Sequence, residues 1–548
     1  MSQPQETPLS AFYKWEKQTP EHIFLRQPIS GDWKSWTYQQ AGVEIRRIAA
    51  ALRALNLSAE SNVAILSKNC AHWILADLAI MMAGHVSVPV YPTLSDSGIK
   101  EILQHSEAKL IFIGKLDDFE KQRNAIEPGV HKIIFPFYGA GDGLKWDDLL
   151  HLHEPLQETE PPNPDKLASI MYSSGTTGKA KGVMLSFGSF GYVGVQVKKY
   201  FRLDKPQRFF SYLPLSHIAE RALMEMVALS SGSTISFTES LQQFPNDLQH
   251  EQPTIFGGVP RIFAKFQEGI LKKIPQRRLQ GLLSVPLINI FIRNMIIKKL
   301  GLSKASIIVC GAAPTPVTLL NWFNQLGLNV RETYGMTENT AYSHSNFRLI
   351  KNGTVGQAWP EVDVKCDEGG EILIRHPALM KGYFKDPVTT AAVFTDEGFL
   401  KTGDQGVVDA QGFLTITGRV KDQFKTDKAK FIAPAPMELI MLANTDIEQV
   451  CVVGTGLPQP IALVTLSPAA REKPKQLVER DLQNTVQLLN KSLERYEQIE
   501  VVVILRDTWT IENGMLTPSM KIKRNAVDKL YQPKYVEWFN QDSVVVWE

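Results

Sequence analysis

Short apolar runs alternate with longer stretches of helical period from Val63 to Val309. Val63-Ala-Ile-Leu66 precedes a helical pattern over Trp73 to Ala83, and Val86-Ser-Val-Pro-Val-Tyr91 follows it. Lys109 to Ile113, Lys132 to Phe135, Ile235 to Phe237, Thr254 to Phe256 and Ser306 to Val309 keep the same rhythm. Brief continuous apolar runs suit strands buried on both faces, and strands spaced by helices pair in parallel. The pattern predicts an α/β fold of layered, largely parallel sheets. No fixed-period repeat is present.

Past residue 355 the character changes. Val364-Lys-Cys366, Gly370 to Arg375 and Gly412 to Thr417 are short alternating strands separated by Asp367-Glu-Gly-Gly370, Asp396-Glu-Gly398 and Asp409-Ala-Gln-Gly412 turns. They predict a small antiparallel sheet or barrel-like subdomain closing a large N-terminal domain. The boundary falls in Gly418 to Lys421, which divides the chain into residues 1–420 and 421–548. The second part carries strands near Val450 to Val453, Ile461 to Leu466 and Val501 to Leu505, with a helix over Arg480 to Arg495. That reads as a compact α+β unit. A chain of 548 residues exceeds one ordinary core, which agrees with the division.

Composition, 44% hydrophobic and 21% charged, is that of a soluble globular protein. A net charge of +2 gives no global field favouring nucleic acid, and no zinc-finger spacing is present, so no nucleic-acid partner is expected. Cys70, Cys310, Cys366 and Cys451 lie far apart and follow no metal spacing. They read as reduced core residues, and with no secretory signal visible the expected location is cytoplasmic. Leu279 to Leu300 is rich in Leu and Ile between Arg277-Arg278 and Lys298-Lys299. Pro286, Asn289, Arg293 and Asn294 make it too polar to span a bilayer. A pair of packed helices is the first reading; a peripheral helix at the inner face of a membrane is the second.

The densest chemistry is in Tyr172-Ser-Ser-Gly-Thr-Thr-Gly-Lys-Ala-Lys-Gly-Val183, set between apolar runs at Leu167 to Met171 and Val183 to Leu185. Glycines let backbone N–H groups turn toward oxygen anions, hydroxyls donate further hydrogen bonds and lysines add positive charge. This composition suits a loop around a polyphosphate. The P-loop pattern fails, because Ala180 follows Gly178-Lys179 where a magnesium-binding hydroxyl is required, and Ser173 replaces the first glycine. A surface turn with chance lysines is the alternative.

In order and composition this loop resembles the phosphate loop of the adenylate-forming superfamily: acyl-CoA synthetases, luciferases and the adenylation domains of peptide synthetases. Tyr334-Gly-Met-Thr-Glu338, Lys401-Thr-Gly-Asp404, Gly418-Arg-Val-Lys-Asp422 and Leu516-Thr-Pro-Ser-Met-Lys-Ile-Lys-Arg524 resemble the family's other motifs, in the family's order. One glycine-rich loop is weak evidence; five motifs in sequence are strong, and the resemblance spans roughly residues 35–530. The resemblance implies a large N-terminal domain and a small mobile C-terminal one, with the active site in the cleft between. It implies that a carboxylic acid attacks the α-phosphate of ATP, with Mg2+, to give an acyl-adenylate that is then passed to a thiol.

The same resemblance assigns roles. Ser173, Ser174, Gly175, Thr176, Thr177, Gly178 and Lys181 would bind the β- and γ-phosphates. Within Glu332-Thr333-Tyr334-Gly335-Met-Thr337-Glu338, Tyr334 would pack on adenine, Thr337 would contact the α-phosphate and Glu338 would ligate magnesium. A flat aromatic suits a flat base, and a hard oxygen suits a hard cation. Gly311 and Ala312, in Gly-Ala-Ala-Pro314, would line the adenine and acyl group, their smallness allowing close backbone approach. Asp404 would accept from both ribose hydroxyls and Arg419 would touch the ribose. Lys421 matches the hinge position. Lys521 would bridge the acyl carboxylate and the α-phosphate as charge builds. Its motif matches the long-chain variant in which the usual glycine before the lysine is absent, and Lys523 is its rival. His217 reads as pocket-lining and not as a base.

Gly257-Gly-Val-Pro-Arg-Ile-Phe263 resembles the Val-Pro-Arg signature of long-chain acyl-CoA synthetases, and Leu66 to Trp73 through Tyr91-Pro-Thr93 resembles the same group's N-terminal region. A long-chain fatty acid is therefore the expected substrate, held by about 0.8 kcal/mol per buried methylene. CoA is the expected acceptor. The loop after the hinge, Lys425-Thr-Asp-Lys-Ala-Lys-Phe-Ile-Ala-Pro434, has Ala429 where many relatives have glycine, so a carrier protein's phosphopantetheine is the alternative. An inactive lipid- or nucleotide-binding relative is the third reading, opposed by intact Thr337, Glu338, Asp404, Arg419 and Lys521.

Overall fold

The computed structural model describes residues 5–138, 141–157, 160–174 and 180–548. Among these, the apolar runs named above become the central strands of two large sheets. In the first, Val86–Val90, Asn62–Leu66, Leu110–Ile113 and His131–Ile134 run parallel, with Leu167–Ser174 parallel to Val86–Val90. Leu167–Ser174 then pairs antiparallel with Ala180–Ser186, so the phosphate-loop sequence joins the two arms of a hairpin, and Gly382–Tyr383 adds at its outer edge. In the second sheet, Val330–Tyr334, Ile307–Cys310, Ile255–Gly258, Arg208–Ser211, Thr234–Phe237 and Ile23–Ile29 are parallel, closed by short antiparallel strands at both ends. Both sheets are thus mixed: the first is antiparallel only at the hairpin edge, the second at both edges.

Helix Ala71–Ala83 touches strands of both sheets and is buried from Ala71 to Met82. Its all-round apolar sequence is what a helix between two layers requires. Asp77 on this helix receives two hydrogen bonds from Arg221, at 2.6 and 2.8 Å, while Arg221 also donates to Ser169 Oγ at 2.8 Å. Both charged side chains are fully buried, and the guanidinium lies over Trp73 and Phe190. The pair ties the strand that leads into the phosphate loop to the central helix. Losing one partner would strand the other's charge in the interior.

The change of character past residue 355 is a four-stranded antiparallel sheet of Asp363–Cys366, Glu371–Arg375, Leu400–Val408 and Leu414–Arg419. The C-terminal part builds Ile447–Val453, Ile461–Leu466, Val501–Ile504 and Val545–Trp547 into one sheet. Apolar clusters cover both its faces, one including helix Lys475–Asn490 and the other helix Arg524–Tyr531. This is the α+β unit the pattern predicts. Residues 279–300 form two helices, Gln276–Leu283 and Ile288–Lys299, as the first reading has it.

Candidate active site

The strand at the second sheet's functional end begins at Val330 and runs through Tyr334, so most of the Glu332–Glu338 motif is strand and turn. Sequence alone sets the strand earlier, at Leu328 to Val330, because Arg331-Glu-Thr333 carries no apolar pattern. At its tip the Tyr334 hydroxyl donates to Asp404 Oδ2 at 2.6 Å. Asp404 and Arg419 are register partners on neighbouring strands, and Arg419 Nε lies 3.0 Å from Asp404 Oδ1. Each carboxylate oxygen therefore has its own partner, one a hydrogen bond and the other an ion pair. The carboxylate, in turn, raises the Arg419 pKa above its usual value.

Two glycines permit close approach here. A Cβ on Gly311 would meet Thr333 Cγ2 at 2.8 Å, and one on Gly335 would meet the Ala341 backbone at 2.7 Å. Ala312 follows with φ +65°, which turns the chain sharply after strand Ile307–Cys310. The Glu332 carboxyl accepts from the Gly353 N–H at 3.3 Å, and burial pushes its pKa up to about 7.

Glu338 sits in a short 3-10 turn with Thr337, buried, and its Oε1 accepts from Tyr383 Oη at 2.9 Å. Lys181 Nζ lies 4.8 Å over the Tyr383 ring, and Ser173 pairs with Lys181 across the hairpin. The contact chain Lys181–Tyr383–Glu338 links the base of the phosphate loop to the acidic turn. Gly175, Thr176, Thr177 and Gly178 lie outside the described residues, as does the side chain of Ser174. Burial raises the Glu338 pKa, while the hydrogen bond from Tyr383 acts the opposite way. A carboxylate so placed fits a divalent cation. No cluster of three or more His, Cys, Asp or Glu suited to a metal occurs among the described residues. Glu338 would supply the protein's ligand and the substrate phosphates and water the rest, a sharing that magnesium favours.

Lys521 arrives from the C-terminal unit on a tight turn. Thr517 Oγ1 accepts from the Lys521 N–H at 3.0 Å, and the Thr517 N–H donates back to the Lys521 carbonyl at 2.8 Å. Met520 holds φ +64°, the left-handed region in which glycine is unstrained, so the missing glycine leaves a strained residue in its place. The Lys521 side chain keeps contact with solvent although protein surrounds it, as in an open cleft. That crowding lowers its pKa and Arg419 lowers it further, while Asp404 and Glu338 act the opposite way. His217, from the large unit, is pushed down to about 4 by burial and then by Lys521. Its Nδ1 accepts from the Ala219 N–H at 3.2 Å, so the neutral ring carries its proton on Nε2. Lys523 instead opens helix Arg524–Tyr531, its N–H donating to the Met515 carbonyl. Lys421 stands exposed in the 3-10 turn Val420–Asp422, between the antiparallel sheet and the C-terminal unit.

The family model for the AMP-binding enzyme matches residues 12–384, and that for the AMP-binding enzyme C-terminal domain matches residues 422–542. The chain belongs to the AMP-binding enzyme family. Among curated relatives, the long-chain-fatty-acid–CoA ligase FadD15 of Mycobacterium bovis is 29% identical over 97% of this chain and 96% of its own. The peroxisomal long chain acyl-CoA synthetase 6 of Arabidopsis thaliana is 28% identical over 90% of this chain and 80% of its own. The fold is shared with the adenylation domain of a carboxylate reductase from Mycobacterium chelonae (TM-score 0.84, 21% identity, 98% of this chain and 92% of that one). It is shared also with o-succinylbenzoate CoA synthetase from Bacillus subtilis (TM-score 0.74, 22% identity, 96% and 98%).

In this AMP-binding enzyme, sequence reasoning missed Tyr383, which belongs to a two-residue strand too short to show periodicity. It missed Arg524, which pairs with Glu438 and Asp422 and so braces the Lys521 segment against the residues just after the boundary. It also missed the ion pair of Arg261 with Glu448, the latter on strand Ile447–Val453 of the C-terminal unit. Two surface hollows, lined by Lys34 to Glu44 and by Val130 to Leu144, contain none of the site residues.

Proposed function

We propose that this AMP-binding enzyme joins a long-chain fatty acid to CoA in two steps. In the first, a carboxylate oxygen of the acid bonds to the α-phosphorus of ATP and the bond to the leaving pyrophosphate breaks. In the second, the CoA sulfur, losing its proton, bonds to the acyl carbon and AMP leaves. Tyr334, Asp404 and Arg419 hold the adenosine; Tyr334 and Arg419 keep the Asp404 carboxylate in place while its remaining acceptor sites take the ribose diol. Ser173 and Lys181 at the hairpin's base, with Ser174, Gly175, Thr176, Thr177 and Gly178, hold the outer phosphates. Thr337 contacts the α-phosphate. Glu338 would hold magnesium, which would supply positive charge to the phosphates. Lys521 donates between the carboxylate and the α-phosphate, offsetting the repulsion between two anions that have to meet. Lys421 is the hinge, and residues 421–548 move as a unit between the two steps.

The observation that carries this reading is Lys521 standing among Arg419, Asp404, Glu338 and His217, contributed by two separate units of the chain. The chain-length class is supported by the descriptions of its relatives and by Gly257 to Phe263. The test supplies saturated acids from acetate to arachidate with ATP, magnesium and either CoA or a phosphopantetheine carrier protein, and weighs the thioester by mass. Thioester on CoA from the long acids is expected. Preference for acetate or an aromatic acid, or product only on the carrier, would overturn the assignment.

A further inference from the structure

From Gly269 to Val330 the sequence has eight Lys and Arg and no Asp or Glu. The whole chain is only +2, so the remainder is net acidic by six and the positive charge is concentrated in this segment. Lys272, Lys273, Arg277, Arg278, Lys298 and Lys299 are exposed. Between the two basic pairs that flank the helical hairpin lies its tip, where Val285, Leu287, Ile288, Ile290 and Phe291 are all exposed. Leu287 is 79% exposed and Phe291 67%. Exposed apolar side chains scattered singly need no explanation, but five within seven residues form a patch.

The hairpin is not loosely attached. Leu279, Ile292 and Ile296 are buried in a cluster with Trp322 and Phe323, and Trp322 Nε1 donates to Gln276 Oε1 at 2.9 Å. Leu287 has φ +71° and ψ −46°, close to a strained γ-turn. A glycine would relieve that strain, and the leucine side chain finds no burial in return. Nothing among the described residues accounts for a leucine there. The helices rise about 1.5 Å per residue, which sets the basic pairs roughly 12–15 Å behind the tip. An apolar tip entering the acyl boundary with bases level with the headgroups is the geometry of interfacial binding. No helix among the described residues is long and apolar enough to cross a membrane.

We propose that the hairpin 276–299 seats on an anionic lipid surface, its tip entering the interface and Arg277, Arg278, Lys298 and Lys299 facing the headgroups. The charge pattern selects this occupant. A second copy of the chain would have to bring the same positive field against itself, and a neutral bilayer would leave the bases unused.

The test is co-sedimentation of the full chain with vesicles of phosphatidylcholine alone and of phosphatidylcholine mixed with phosphatidylglycerol. No turnover is read, so its failure is separate from any failure of the catalytic assignment. Binding to the mixed vesicles, weakened by salt, is expected. Leu287→Asp with Phe291→Asp should weaken it about tenfold, and so should Arg277→Glu with Arg278→Glu. Leu287→Gly should weaken binding while keeping or raising the melting temperature, which a variant damaged in folding cannot do. Equal binding by all variants, equal binding to both vesicle types, or no sedimentation would overturn the proposal. So would a dimer in gel filtration that Leu287→Asp with Phe291→Asp converts to monomer.

Discussion

Asp404 has both carboxylate oxygens engaged by partners within its own part of the chain, whereas Lys521 reaches the same cleft with no hydrogen bond or ion pair on its ammonium among the described residues. The first group is locked before any ligand arrives. The second is held only by its backbone turn and by the seating of the C-terminal unit, including the Arg261–Glu448 pair. A group proposed only to hold a ribose is best fixed in advance. In the proposed two-step reaction, a lysine that meets a substrate carboxylate and then withdraws so that a thiol can reach the same carbon has to stay unlocked.

The sharpest way to break this contrast is Asp404→Ala, which leaves Arg419 and the Tyr334 hydroxyl without their acceptor. About 3 kcal/mol, roughly a hundredfold in kcat/KM for ATP, is the expected loss. Steady-state kinetics at varied ATP checks it; a change below threefold would mean that the pair does not hold nucleotide. Next comes pH. Because the Lys521 pKa lies below its ordinary value, its positive charge drains away as pH rises, before the usual lysine range. Adenylation should fall on that alkaline limb, by about tenfold per pH unit beyond the pKa. Lys521→Arg should move the limb upward, since the Arg charge persists. Arg419, held above its normal value, adds no such limb.

A smaller effect is expected from Tyr334→Phe. It keeps the aromatic face and removes one hydrogen bond to Asp404, about 1 kcal/mol or roughly fivefold in the KM for ATP with kcat preserved. A fall in kcat alone would move Tyr334 from the locked side of the comparison to the chemical side. Smallest are Met520→Gly and Ala429→Gly, two turns of the C-terminal unit with φ +64° and +56°. Glycine relieves left-handed strain but loosens the unfolded chain, so each variant should gain no more than about 1 kcal/mol in denaturant unfolding. Destabilisation would show that packing, not backbone conformation, keeps these residues there.

How far the sequence could be read follows from what each element buries. Strands covered on both faces, such as Asn62–Leu66 and Leu110–Ile113, announce themselves as unbroken apolar runs, and so does helix Ala71–Ala83. Motif order located Tyr334, Glu338, Asp404, Arg419 and Lys521, which the fold gathers around one cleft. The strand through Arg331 and Glu332 was set too early because its side chains serve a polar edge and not a core. The antiparallel edges escaped because Gly382–Tyr383 and His344–Ser345 are two residues long. The Asp77–Arg221 pair escaped because an isolated Asp and Arg read as surface residues until burial is known.

Lys521→Ala, followed through each half-reaction separately, probes the role of this lysine most directly. Acid-dependent ATP–pyrophosphate exchange should fall by at least about a hundredfold, while thioester formation from premade acyl-adenylate and CoA stays near the wild-type rate. Equal losses in both reactions, or an exchange rate left intact, would contradict the role given to this lysine.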